Sequence, residues 1–349
     1  MASRRLTIQD VADKVGVSKF SVSRALSGKS GVGEATRNRV LQAAHAMGYR
    51  VSEDLMAKPD RILFVRQEID PVSSELWLNV MHGAEREAER HGFSIVPRQV
   101  RYLRDPSQLD RSVAGLILAV PRPDDFSEAL ARLRLPVVCA SYAKPLERID
   151  HVVGADWEAG MGVDRLLLDL GHREMAFVHG SATLLGRAER FRGFRDGVLM
   201  QANTSVDDII FDEALGFRNA FLDYLRGGGA PTALFCAHDG IAVNVVSELT
   251  HLGVRVPRDI SIVGFNDFIS ASQVSPRLTT VRTPQVEIGA AMVRCILDRL
   301  SDPEAAARPP LRLALVAEIV QRESTGPVAA KDWLARALKQ MPRKAGGDT

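Results

Sequence analysis

Three cysteines in 349 residues are too few and too scattered for a disulfide framework. Cys139, Cys236 and Cys295 each sit in an apolar run, with no CxxC pair among them. Buried reduced thiols are therefore expected, and a structural zinc site is not. No run approaches the roughly 18 consecutive apolar residues of a membrane span. The first residues include Arg4 and Arg5 but no apolar core behind them, so they do not read as a secretory signal. A cytoplasmic protein with no membrane partner is expected. No GxGxxG follows a strand-like run, and P-loop and HExxH motifs are missing. His151, His172, His179, His238 and His251 are scattered, without a Cys or Ser nucleophile signature. His172 precedes an apolar run, where a structural role is expected. These absences point away from an enzyme, a metal or a cofactor.

What is present begins with charge. The net charge of +2 is small, but it is unevenly placed. Residues 1–58 hold ten Lys/Arg against five Asp/Glu, and the remainder holds 35 against 38. A basic head on a mildly acidic body is the asymmetry of a chain whose head alone meets phosphates.

That head has the pattern of a helix-turn-helix. Thr7 can cap a first helix with Ile8, Val11, Ala12 and Val15 on its apolar face. Gly16 permits the turn. Ser18 can cap a second helix that buries Val22, Ala25 and Leu26, leaving Lys19, Phe20, Ser23 and Arg24 outward. A third helix is expected over Glu34 to Met47, with Val40, Leu41, Ala44 and Met47 on one stripe, closed by Gly48. Gly33 holds its capping position, where Ser or Thr would serve better. Residues 50–60 are polar and end in Lys58-Pro59-Asp60, as a linker would.

From Arg61 the pattern becomes strand-helix alternation. Apolar runs at Ile62–Val65, Phe93–Val96, Val113–Ala119 and Pro136–Ala140 are separated by helical spacing. A second series starts near Asp156, with runs at Met175–Val178, Asp208–Phe211, Ala233–Cys236 and Ile260–Gly264. Two similar α/β lobes with mainly parallel sheets follow. Their ligand would lie in the cleft between them, outside the strand C-terminal ends. The tail, 327–349, has one short amphipathic stretch, Trp333-Leu334-Leu338-Met341. It is too short for a coiled coil, which leaves packing on the body or disorder.

These segments resemble the lactose-repressor/galactose-repressor family of transcription regulators. The likeness covers about residues 6–326. It rests on Thr7-Ile8-Gln9-Asp10-Val11-Ala12, Gly16-Val17-Ser18 and Val22-Ser23-Arg24-Ala25-Leu26-Ser27-Gly28 in the head. In the body it rests on Leu170-Gly171-His172-Arg173, Arg190-Phe191-Arg192-Gly193-Phe194, Gly253-Val254-Arg255-Val256-Pro257, Pro276-Arg277-Leu278-Thr279-Thr280-Val281 and Arg322-Glu323-Ser324-Thr325. The resemblance implies an α/β protein with an N-terminal three-helix DNA-binding domain at 1–49 and a hinge at 50–60. It implies a two-lobed, periplasmic-binding-protein-like effector domain at 61–326. Three crossovers would join lobe 1 (about 61–152 and 284–309) to lobe 2 (155–281 and 311–326). A homodimer on a palindromic operator, governed by a sugar, sugar acid or sugar phosphate, is implied as well.

For base reading, Lys19, Phe20, Ser23 and Arg24 are the candidates. Lys and Arg can donate to guanine or phosphate, and Phe can touch a thymine methyl. Packing of Phe20 into its own domain is the competing reading. Thr7, Ser18 and Ser27 are expected on phosphates. The linker departs from the family hinge and looks three or four residues short. Leu55 or Met56 could wedge into the minor groove, but Glu53 and Asp54 would repel phosphates, and a plain tether is the alternative. For the effector, Arg190 matches the family's cleft arginine. Asp239 matches a further cleft position and Trp77 an aromatic that stacks on the ligand. Tyr142, Asp156 and Phe211 match by position, with core packing as the competing reading for Trp77 and Phe211. Asn266 stands where the family usually has an aspartate, which favours an acidic sugar or sugar phosphate. An enzyme or a free-standing solute-binding protein on the same body are the rival functions. Neither needs residues 7–49.

Overall fold

The computed structural model describes residues 6–27, 29, 31–49, 59–66, 74–101, 112–119, 135–180, 185–212, 216–302, 304 and 308–339. The N-terminal unit contains three helices: α1 (Ile8–Val15), α2 (Lys19–Leu26) and α3 (Glu34–Ala46). Thr7 closes a capping box on α1. Its backbone N–H donates to Asp10 Oδ2 at 2.7 Å, and Asp10 N–H donates back to its hydroxyl at 3.4 Å. Gly16 ends α1 at φ 72°, a left-handed conformation that costs glycine little. Ser18 accepts the Ser21 N–H at 3.0 Å and starts α2. Val11, Ala12, Val15, Val22, Ala25, Leu26, Val40 and Ala44 form the core. Leu41, expected on the same stripe, is exposed, because the three-helix core takes a narrower stripe of α3 than the spacing suggested. Gly33 precedes α3 without a side-chain cap. Two arginines of α3 instead serve the other helices. Arg39 donates to the Val15 carbonyl at 2.9 Å, and Arg37 to the Lys29 carbonyl at 2.7 Å. Val15 is the last residue of α1, and its carbonyl is one that a helix end leaves unpaired.

The body holds two six-stranded sheets. The first runs β11-β5-β4-β3-β1-β2, built from β1 (Arg61–Arg66), β2 (Ser94–Gln99), β3 (Val113–Ala119), β4 (Val137–Cys139), β5 (Asp150–Gly154) and β11 (Arg312–Leu315). The second runs β12-β10-β9-β8-β6-β7, built from β6 (Glu174–Gly180), β7 (Ser205–Phe211), β8 (Ala233–Cys236), β9 (Ser261–Phe265), β10 (Thr279–Arg282) and β12 (Glu318–Val320). Strands β6 to β10 pair in parallel, and β12 joins β10 antiparallel. In each sheet the strand order reverses beside the first strand of the lobe. Such switch points open a crevice at the C-terminal ends of the strands.

The helices are α4 (Ser74–Arg90), α5 (Asp156–Asp169), α6 (Leu185–Leu199), α7 (Phe217–Arg226), α8 (Asp239–His251), α9 (Ile269–Gln273), α10 (Gln285–Ser301) and α11 (Trp333–Lys339). The chain crosses between sheets at Ala155, at Thr283-Pro284 and at Val316-Ala317. The third crossover corrects the expected boundary at 310. β11 pairs in parallel with β5, so residues 312–315 belong to the first lobe. α5 starts at Asp156, directly from the first crossover. The tail packs on the second lobe. Trp333 is fully buried in that lobe's core, stacked on Phe221 at 6.3 Å, and Arg336 holds Asp259 at 2.7 Å. Met341 lies outside the described residues. His172 has the expected structural role. Nδ1 meets Thr232 Oγ1 at 3.0 Å, and Nε2 meets the Gly326 carbonyl at 3.0 Å, tying the end of the lobe to its start.

Candidate nucleic-acid interface and ligand cleft

The start of α2 offers its first two side chains to solvent. Lys19 is exposed, and Phe20 is 69% exposed, which removes the reading that it packs into its own domain. One turn on, the Arg24 guanidinium lies 5.2 Å from the centre of the Phe20 ring, a cation–π distance. Ser23 is half-buried beside them. Thr7 and Ser18 are exposed at helix starts, where backbone N–H groups favour an anion. Ser27 is different. It is buried, and its hydroxyl donates back to the Arg24 carbonyl at 3.4 Å as α2 ends. The expected phosphate contact is thereby turned inward to serve the helix end. Leu55 and the rest of the hinge lie outside the described residues.

The second constellation gathers at the first crossover. Gly160 and Gly193 let α5 and α6 touch backbone to backbone. A Cβ on Gly193 would fall 1.9 Å from the Trp157 carbonyl, and one on Gly160 2.3 Å from the Arg190 carbonyl. That approach brings Arg190 of α6 to Asp156 of α5, with Nε 3.5 Å from Oδ1. The guanidinium lies 3.7 Å over the Phe265 ring at the end of β9 and donates to the Ala237 carbonyl after β8. Nε itself is buried, and among the described residues it has no hydrogen bond. Tyr142, in the loop after β4, donates to the Gly154 carbonyl at 2.7 Å and accepts the Asp156 N–H at 3.0 Å. First-lobe tyrosine and second-lobe acid are thus joined across the crossover. Burial pushes the Asp156 carboxyl above its ordinary range, and Arg190 opposes that rise. Burial likewise pushes the Tyr142 phenol upward.

Asp239 does not line this cleft in the expected way. It is fully buried at the start of α8, where Oδ2 accepts the Phe268 N–H at 2.7 Å and Oδ1 accepts the Thr280 hydroxyl at 2.6 Å. A Cβ on Gly264 would stand 2.1 Å from Oδ1, so the strand passes directly over the carboxyl. Burial raises its pKa to about 7. Its role is to hold the loop that follows β9. Phe211 is corrected too. It is buried in the second-lobe core, edge-on to Phe217 at 6.1 Å. Trp77 is half-buried against the first-lobe core. Asn266 directly follows Phe265, at φ 103°. Its backbone is bonded on both sides, to the Val281 carbonyl at 2.8 Å and from Gln285 Nε2 at 2.9 Å. Among the described residues its side-chain amide has no hydrogen bond.

Phe265, Gln285 and the Ala237 carbonyl were not singled out from the sequence, and Thr280 stood there only within the family-like run Pro276–Val281. Phe265 could have been found as the last residue of an apolar run at a switch-point strand. The others are ordinary residues recruited by the fold. Among the described residues no group of three or more metal-ligating side chains converges.

Residues 7–52 match the lacI family of bacterial regulatory proteins, and residues 165–325 match the periplasmic binding protein-like domain. The chain is 30% identical over 317 residues to the HTH-type transcriptional repressor PurR of Aliivibrio salmonicida (strain LFI1238), covering 85% of this chain and 92% of that one. The chain belongs to the lacI family. A second relative of this lacI-family chain is the HTH-type transcriptional regulator DegA of Bacillus subtilis (strain 168), 28% identical across 93% of this chain and 99% of that one. Among solved structures, the transcriptional regulator CelR in complex with cellobiose is similar, with TM-score 0.67, 25% identity and coverage of 92% and 100%. The family acts by DNA-binding regulation of transcription, not by catalysis, and the rival reading as an enzyme is set aside. The match over residues 7–52 sets aside a free-standing solute-binding protein as well.

Proposed function

We propose that this chain is a cytoplasmic repressor that binds a palindromic operator as a homodimer and releases or gains DNA with a sugar-like effector in its inter-lobe cleft. The observation that carries the effector reading is the half-buried Arg190, paired with Asp156 at 3.5 Å and lying over the Phe265 ring. A carboxylate and a guanidinium side by side suit adjacent hydroxyls, one donating and one accepting. The Asn266 amide can do both. Trp77 supplies the aromatic on the first lobe. The cellobiose complex of the 25%-identical CelR supports a saccharide on this fold. Because Asp156 offsets the charge of Arg190, a neutral sugar is the leading ligand, with sugar acids and sugar phosphates as competing outcomes.

Lys19, Phe20, Ser23 and Arg24 would read bases, and Thr7 and Ser18 would sit on phosphates. The test is selection of bound sequences from random duplex DNA, repeated with a panel of neutral sugars, sugar acids and sugar phosphates. The expected result is a palindrome whose retention changes with one compound. A non-palindromic sequence that no compound alters would overturn both the dimer and the effector reading.

A further inference from the structure

We infer that Gln285 is a positioning residue that ties the cleft amide of Asn266 to the first lobe, with Asn79 of α4 as its anchor. This rests on Asn266 belonging to the effector cleft. Gln285 is the first residue of α10, just past the second crossover, and is buried. Its Nε2 donates to the Asn266 carbonyl at 2.9 Å and to Thr283 Oγ1 at 3.1 Å. Its Oε1 accepts from Asn79 Nδ2 at 2.8 Å. The orientation of this amide is fixed by chemistry. The Asn266 carbonyl can only accept, so it must face Nε2, and Oε1 must then face the donor on α4.

The turn that Gln285 grips is under strain. Asn266 at φ 103° and Asp267 at φ 54° are consecutive non-glycine residues in the left-handed region. Such a conformation persists only when its surroundings over-determine it. Every residue of the turn is accordingly anchored. Asp267 takes Arg282 at 2.7 Å and Arg322 at 2.6 Å, and Phe268 N–H goes to Asp239. Ile269 N–H donates to Glu75 Oε1 at 2.9 Å, across the cleft. Glu75 and Asn79 are four apart on α4 and share one face. The first lobe therefore holds the turn at two points, directly through Glu75 and through Gln285 by way of Asn79. Shifting α4 relative to the second lobe loosens both, and the Asn266 carbonyl then loses the partner that holds the turn from which its side chain projects. Asn79 bonds to neither Asn266 nor Ile269, so its influence on them passes through this relay.

Hydrogen exchange of the full chain without ligand tests this. In Asn79→Leu, exchange of the Asn266 and Ile269 amides is expected to accelerate about three- to ten-fold, the factor one neutral hydrogen bond supports. The β8 amides, Ala233–Cys236, should not change. A merely structural role would move those instead. Asn79→Asp, near in shape but without a donor, should reproduce the effect if the leucine variant folds poorly. Gln285→Glu keeps the acceptor for Asn79 but loses the donor to Asn266, and should accelerate the same amides. Its combination with Asn79→Leu should add nothing beyond either alone. Unchanged exchange at Asn266 in Asn79→Leu and Asn79→Asp, or additive effects in the double variant, would overturn the relay. No ligand enters this experiment, so its failure is distinct from failure of the effector reading, which the DNA selection decides.

Discussion

In the helix-turn-helix, Lys19 and Phe20 stand in solvent on a short helix that Ser18 caps, and Arg37 reaches the Ala25 carbonyl near its end at 3.4 Å. In the body, Asp156 and Asp239 are buried, Arg190 is half-buried, and each is held by fixed partners. The difference follows from what each surface meets. A DNA-reading helix keeps polar groups free for a partner that is itself a dense array of charges and acceptors. A cleft for a small molecule must fix its few polar groups in place, because a loosely held donor gains little from binding. The first region should therefore tolerate substitution structurally and fail in binding. The second should fail in stability, or in ligand response, according to how deeply the side chain is committed.

The largest expected effect is at Asp239. Replacement by alanine leaves the Phe268 N–H and the Thr280 hydroxyl without their acceptor in a buried place. Two orphaned groups predict a loss of about 2–5 kcal/mol in unfolding free energy, read by urea denaturation. A loss under about 0.5 kcal/mol, the usual size of a surface change, would break the contrast.

Next is Arg24→Ala, which should weaken operator binding by about 1–3 kcal/mol and relax preference at one base position. Its effect on thermal stability should be small. Unchanged operator affinity of the variant in a titration at fixed salt would remove Arg24 from the reading face.

A third effect concerns pH. The Asp239 pKa of about 7 lies above the unfolded value of about 3.9, so the folded state holds the extra proton between them. The stability contribution is present below about pH 4 and is lost as pH rises to about 7, with a slope of at most about 1.4 kcal/mol per unit. Asp239→Asn keeps an acceptor for Phe268 and can donate to Thr280. Measured as the difference between the two proteins at pH 5, 6, 7 and 8, the variant should gain on the wild type until pH 7 and then level. A flat difference would mean the carboxyl stays ionised.

The smallest is Gly33→Ser. The position has φ −61°, no side-chain cap and no atom within 4 Å of an added Cβ. A serine hydroxyl there should stabilise α3 by a few tenths of a kcal/mol. Calorimetry of the full chain would show the first transition moving up slightly, with the body unchanged.

The two regions also differ in how far the sequence revealed them. Caps, turn glycine and apolar spacing of the head are local, so α1 and α2 were legible to the residue. Leu41 and Ser27 escaped because a side chain's direction depends on how three helices dock. In the body, the apolar runs of β1, β3, β6, β8 and β9 announced two lobes. The strands β5, β10, β11 and β12 carried too little apolar signal, and nothing local tells Arg312–Leu315 to join the first sheet rather than the second. Arg190 and Asp156 could be named from the family likeness, and the fold brings them together. Asp239 and Phe211 were placed near ligand by position alone, but burial assigned them to the loop and the core. Gln285 had no signal at all, since its meaning comes from partners at positions 79 and 266.

The central claim is that operator affinity is set from the Arg190 cleft. Its most direct test is operator titration with wild type and Arg190→Lys, each with and without the compound that emerges from the sugar panel. Lysine keeps the charge beside Asp156 but lacks the planar fork. The account predicts equal operator affinity without compound, and a response to compound that falls at least about ten-fold in the variant. A variant that responds as fully as wild type, or that fails to bind the operator without any compound, would contradict it.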